Sequence, residues 1–186
     1  MNIGFAMCGS FCTYAQVFPI MELLTKEHKV IPIFSQAAAT VDSRFGSAKE
    51  HLHRAAQICG TEPLLTIAQA EPIGPKKLLD ALVIAPCTGN TLAKLAHSIA
   101  DSPVTMAAKS HLRNGRPVLV AVSTNDALAG AAENIGKLLA RRNFYFVPFG
   151  QDDPLKKPTS LVADFTKLPA ALEAALTGTQ IQPLLS

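Results

Sequence analysis

The chain has 186 residues, of which 48% are hydrophobic and 17% charged, and carries a formal net charge of +3. That length suits one domain with a sizeable core, burying roughly 70% of the surface its unfolded chain exposes. The cations are scattered, with Lys76-Lys77, Arg141-Arg142 and Lys156-Lys157 as the only basic pairs; this is too weak for a nucleic-acid footprint and reads as solvated faces.

No apolar run reaches about 18 residues and no charged segment leads into an apolar one at the start, so neither a membrane span nor a signal peptide is expected. The protein is read as cytoplasmic. Cys8, Cys12, Cys59 and Cys87 form no CxxC pair and are expected to be buried free thiols. The five histidines form no HExxH pattern, and His51 and His53 lie two apart in an expected helix, where side chains diverge, so no metal site is assigned.

In chain order, Ile3 to Cys8 reads as a buried strand ending in a tight turn at Gly9-Ser10. A helix follows from about Thr13 to Glu27, with Pro19 either kinking it or opening its main part. Val30 to Phe34 is a second strand, passing through Ser35-Gln36 into the helix-forming Ala37-Ala38-Ala39. The stretch from Val41 to Gly60 breaks near Arg44-Phe45-Gly46 and resumes as a helix, and Leu64 to Ile67 is a weak third strand. One or two helical turns are expected at Lys76 to Asp80.

Leu82 to Ala85 is apolar on both faces, as in a strand covered by helices on each side, and from Asn90 the residues Leu92, Leu95, Ala96 and Ile99 recur at helical spacing. Pro103 opens a helix that Asn114-Gly115 ends. Val118 to Val122 is a fifth strand stopping at Ser123-Thr124-Asn125, followed by a helix from about Ala127 to Arg142 and a sixth strand from Phe144 to Val147. Gln151 to Pro158 reads as a surface loop, Val162 to Leu176 as a final helix, and the residues from Gly178 as a frayed tail.

Alternating strands and helices imply an α/β fold: a single-domain, Rossmann-like (flavodoxin-like) three-layer sandwich over residues 1–177, with a mostly parallel six-stranded sheet and a tail over 178–186. Ligands in such folds bind beyond the carboxyl ends of the strands. Polar turns fall at four of those ends: Gly9-Ser10, Ser35, Cys87 to Thr91, and Ser123 to Asn125. The turn after Ala85 joins a strand to a helix start, which offers unpaired N–H groups to a phosphate, although Thr and Asn are also favoured there as ordinary caps. No GxGxxG follows the first strand, and the Walker-like Gly136-Lys137 is followed by Leu138 rather than Ser or Thr. A mononucleotide held by hydroxyls and backbone N–H groups remains.

Gly9-Ser10, Ser35-Gln36-Ala37-Ala38, and the run from Ala85 to Lys94 followed by Ile99-Ala100-Asp101 resemble the flavoprotein family. That family includes flavin prenyltransferases, phosphopantothenoylcysteine decarboxylases and lantibiotic cysteine decarboxylases. The resemblance covers about the whole chain and implies FMN at the carboxyl edge of the sheet. Ser10 and Ser35 would contact its phosphate or ribityl chain, with Gly9 allowing close approach. Thr88, Asn90 and Thr91 would hold the flavin or phosphate, with Cys87 beside the ring, and Ser123 and Asn125 complete the candidate cofactor-binding set.

Ile73 to Ala81 lacks the histidine that the phosphopantothenoylcysteine decarboxylases carry, and Ser123-Thr124-Asn125 lacks the Pro and Met of their PxMN pattern. The Arg-Glu-Thr-Pro segment of the prenyltransferases is likewise replaced, by Val122 to Asn125. Gly4 to Thr13, Asp126 to Asn134 and Asp152 to Ser160 instead resemble, nearly end to end, a subfamily of endospore-forming bacteria. It is the flavoprotein-like component of a two-component oxidoreductase of the mother-cell cytoplasm. The resemblance implies a partner subunit carrying NAD(P), a small dicarboxylate substrate and assembly as a homo-oligomer. A dicarboxylate needs cations, and Arg44, Lys109, Arg113 and Arg116 lie nearest that edge in sequence; no catalytic acid or base is assigned. The alternatives are a stand-alone FMN-dependent decarboxylase or prenyltransferase, and a non-catalytic chain that stabilises its partner.

Overall fold

The computed structural model describes residues 1–185. At its centre lie two strands, β1 (Asn2–Met7) and β3 (Ala81–Cys87). Every residue of β3 is buried, and so are the last five of β1, which explains their unbroken apolar runs. β2 (Lys29–Phe34), β4 (Val118–Thr124) and β5 (Phe144–Phe146) flank them to give a parallel sheet of order β2-β1-β3-β4-β5. The chain moves to one side of β1 and then to the other, so β1 and β3 mark the point where the order reverses. Their carboxyl ends open the crevice that ligands use in such sheets.

Helices cover both faces. On one lie α1 (Tyr14–Thr25), which carries Pro19 in its interior, and α8 (Leu168–Leu176), with α3 (Ala48–Cys59) packed on α1. The other holds α4 (Ile67–Ala70), α5 (Gly89–Ala96), α6 (Pro103–Leu112) and α7 (Ala132–Leu139). The starts are written locally: Ser47 with Glu50, Thr66 with Gln69 and Ser102 with Thr105 form reciprocal caps for α3, α4 and α6. The short α2 (Gln36–Thr40) starts at Ser35.

Four expectations are corrected. The sheet has seven strands rather than six, because β6 (Phe149–Gly150) and β7 (Leu161–Ala163) run antiparallel on the end of β4. Leu64 makes only an isolated bridge to Ile33, since the capped start of α4 at Thr66 ends the strand before it can extend. The helix expected from Ala127 starts only at Ala132: Asp126 O accepts from Ala129 N and Ala131 N, winding residues 126–131 into a turn. No helix forms at Lys76 to Asp80, where Lys77 has φ +50°.

Within the tail expected to fray, of which Ser186 lies outside the described residues, Gln180 accepts from Phe146 N at 2.7 Å and donates to Phe146 O at 2.8 Å, and Leu184 O accepts from Phe149 N.

His111 on α6 is fully buried, with Nε2 at 3.1 Å from Pro117 O and no partner for Nδ1 among the described residues. Burial pulls its pKa from 6.5 to about 4. An unfolded chain therefore takes up this proton near pH 6.5 while the folded one refuses it until about pH 4. Stability is complete above pH 6.5 and falls across that window, by up to about 3 kcal/mol. Urea unfolding at stepped pH should show this slope, and His111→Gln should flatten it.

Candidate functional site

The polar turns at the strand ends converge on the β1/β3 crevice. Thr88 caps α5: its Oγ1 accepts from Thr91 N at 3.4 Å and donates to Thr91 Oγ1 at 3.1 Å. Thr91 is buried and donates in turn to Cys8 Sγ at 3.3 Å, fastening the start of α5 to the end of β1. Ser35 caps α2 by accepting from Ala38 N at 3.2 Å. Ser10 Oγ and Ser123 Oγ lie 2.7 Å apart, linking the turn after β1 to the end of β4 across β3. Asn125 is held from the loop beyond β6: its backbone O accepts from Thr159 Oγ1 at 2.6 Å and its Oδ1 from Ser160 Oγ at 3.4 Å.

Two clefts open here and share Gly9 and Thr88. One, of about 410 Å³, is lined by Ser35, Gln36, Asn90, Thr91, Lys94, Asp101 and Ser102. The other, of about 460 Å³, is lined by Ser10, Phe11, Cys12, Ser43, Arg44, Phe45, Ser123, Thr124, Asn125, Asp152, Lys157 and Val162. Each volume is that of an ordinary small-ligand pocket. At Gly9 an added Cβ would stand 3.4 Å from Ala37 Cβ and 3.7 Å from the Phe11 ring, narrowing the passage where the clefts meet. At Gly89 it would come within 2.8 Å of Asp126 Oδ1 and Thr124 Oγ1. Glycine is what keeps the backbone this close at position 89, whereas the contacts at Gly9 are ordinary van der Waals ones.

The donor set of the first cleft suits a phosphate: hydroxyls, the N–H groups at the start of α5 and the ammonium of Lys94. Asp101 restrains that ammonium, with Nζ at 2.8 and 3.0 Å from its two oxygens. The second cleft combines two aromatic side chains with hydroxyls, an amide and two cations, as a planar heteroaromatic ring with polar edges requires. Lys157 Nζ lies 2.8 Å from Asp152 Oδ2. That bond holds the Asp152 carboxyl below its usual range and raises the Lys157 ammonium, so both stay charged at neutral pH.

Of the sequence candidates, Gly9, Ser10, Thr88, Ser123 and Asn125 line the second cleft, and Gly9, Ser35, Thr88, Asn90 and Thr91 the first. Cys87 lines neither: it is fully buried, with Sγ 3.9 Å from Thr88 O. Burial pushes Cys8 up to about 11 and Cys87 well above the usual thiol value, so neither supplies a thiolate. Cys12, expected to be buried, is exposed on the wall of the second cleft.

Only Arg44 among the proposed cations reaches the site. Lys109 and Arg113 line a separate pocket with Leu95 and Phe144, at the amino ends of the strands. Arg116 pairs with Asp80 and donates to Leu79 O. Lys94, Lys157, Asp152, Phe11 and Phe45 were missed, and for Lys157 the distinctive Asp152 to Ser160 run was the available signal.

Residues 1–167 match the family described as Flavoprotein, and the chain belongs to that family. It is 47% identical over 185 residues to the B subunit of dipicolinate synthase from Bacillus subtilis (strain 168), covering 99% of this chain and 92% of that one. A crystal structure of the same B subunit from Bacillus halodurans C matches with a TM-score of 0.91 at 48% identity, covering 100% of this chain and 95% of that one. The FMN-dependent cysteine decarboxylase SpaF shares the fold, with a TM-score of 0.71 at 20% identity over 95% of each chain.

Proposed function

We propose that the chain is the flavin-holding component of a dipicolinate synthase. It would act with the nicotinamide-dependent A subunit of that enzyme to convert a dihydrodipicolinate-type precursor to dipicolinate in the mother-cell cytoplasm during sporulation. The observation that carries this reading is the near full-length identity to a dipicolinate synthase B subunit. The paired clefts at the β1/β3 crevice, each of small-ligand size, support this reading.

Bound FMN would supply a hydride acceptor suited to removing two hydrogens from a dihydropyridine ring. The chain's residues bind and orient. Thr88, Ser35 and the start of α5 would hold the phosphate, with Gly9 shared by both clefts. Ser10, Ser123 and Asn125, with Phe11 and Phe45, would hold the ring. NAD(P) is assigned to the partner, in keeping with the missing GxGxxG after β1.

We also read the protein as a homo-oligomer. The supporting surface is an apolar cleft beside α7 and β6, where Leu128, Leu139 and Leu185 are exposed.

Reconstitution tests the function. Dipicolinate should form from the precursor only when this chain is combined with its nicotinamide-dependent partner. A partner that reached full rate alone would remove any essential role, and release of carbon dioxide from a cysteinyl substrate by this chain alone would favour a decarboxylase.

A further inference from the structure

The second cleft holds two cations in different states. Arg44 projects from a turn closed by paired backbone hydrogen bonds between Ser43 and Gly46, each 3.1 Å, and lies with Cζ 4.8 Å from the centre of the Phe45 ring. No carboxylate among the described residues pairs with it. Lys157 belongs to the loop between β6 and β7, which is fastened at several points: Lys157 N donates to Asp153 O at 2.7 Å, Gln151 Nε2 to Pro158 O at 2.8 Å, and Thr159 Oγ1 to Asn125 O. Its ammonium gives one donor to Asp152, leaving two free. The cleft therefore has one unpaired guanidinium and one ammonium held in place by the Asp152 carboxylate, which lines it as well.

We propose that Arg44 and Lys157 set substrate specificity by each taking one carboxylate of a small planar dicarboxylate bound in this cleft, with Asp152 as the positioning residue that holds Lys157. This rests on the dipicolinate synthase reading for its substrate class, while the residue assignment comes from the cleft. Guanidinium and carboxylate match in bidentate geometry, and the ammonium, a compact point charge, depends on Asp152 for its place. A monocarboxylate leaves one cation without its anion and so binds more weakly.

Calorimetric titration of the full chain with pyridine-2,6-dicarboxylate and with pyridine-2-carboxylate tests the assignment. The dicarboxylate should bind at least about tenfold more tightly, as one charge-assisted contact implies. Arg44→Gln and Lys157→Gln should each reduce that preference to about threefold or less, Lys157→Arg should keep most of it, and Asp152→Asn should lower it by freeing the Lys157 ammonium from its fixed place. Equal binding of the two ligands, no binding of the dicarboxylate, or a preference unchanged in Arg44→Gln and Lys157→Gln would overturn the proposal. Flavin absorbance of the same samples separates the two readings. A chain that holds FMN without dicarboxylate preference loses only the clamp, and one that prefers the dicarboxylate without holding FMN loses only the flavin site.

Discussion

Replacing Thr88 or Ser35 by Asp should lower FMN affinity at least about 100-fold while leaving the fold intact. Both residues cap a helix through a side-chain oxygen, Thr88 for α5 and Ser35 for α2, and both line the first cleft. Asp is as good a cap as Ser and better than Thr, so the helix starts should survive and unfolding midpoints should stay near those of the parent. What changes is the charge: a carboxylate about 4 Å from a phosphate is opposed by roughly 4 kcal/mol per unit charge at an effective dielectric constant near 20. Fluorescence titration of FMN with each variant checks this. Undiminished affinity would place the phosphate elsewhere and leave the two residues as caps, whereas parallel losses of stability and affinity would mean that the substitutions act through the fold rather than on the phosphate.

The second large effect concerns the centre of the sheet. Leu82 on β3 and Leu79 just before it are fully buried and pack over Gly4 of β1, where a built Cβ would lie 2.9 Å from Leu82 Cδ1 and 2.5 Å from Leu79 Cδ1. Gly4 is thus the room these leucines occupy. Leu82→Ala should destabilise by about 2–5 kcal/mol through lost burial and a residual cavity. Gly4→Ala should cost about 1–3 kcal/mol through overpacking. Combined, they should cost less than the sum of the two, because the new methyl enters space that Leu82 vacates, although Leu79 still limits the relief. Urea unfolding of both single variants and the double variant gives the coupling directly, and strict additivity would contradict the packing described.

How much of this the sequence revealed follows from how local each signal is. β3, the turn at Thr88 and α5 were legible because a fully apolar strand passes directly into a capped helix within one short stretch. The crevice was legible too, since four polar turns at successive strand ends fall on one sheet edge. β6 and β7 were not: they are two and three residues long, and pairing with the end of β4 draws Val162 and Ala163 out of the expected helix. Pro169 in the first turn of α8 was the available sign that the helix begins only near Leu168.

The cations show the same limit. Lys109 and Arg113 are near in sequence to the strand end at Ser123, yet α6 runs back to the amino ends of the strands and carries them away from the site. Lys157 is remote in sequence and arrives through the loop that Thr159 ties to Asn125. Its pair with Lys156 reads as a solvated face until the loop's path is known.

The central claim is that the β1/β3 crevice holds FMN, and a visible absorption spectrum of the purified chain tests it most directly, recorded before and after addition of FMN and desalting. Flavin bands that persist through desalting in the parent chain, and are lost from the Thr88→Asp and Ser35→Asp variants, are the expected result. A colourless chain that also fails to retain added FMN would contradict the claim and favour a role in stabilising a partner subunit.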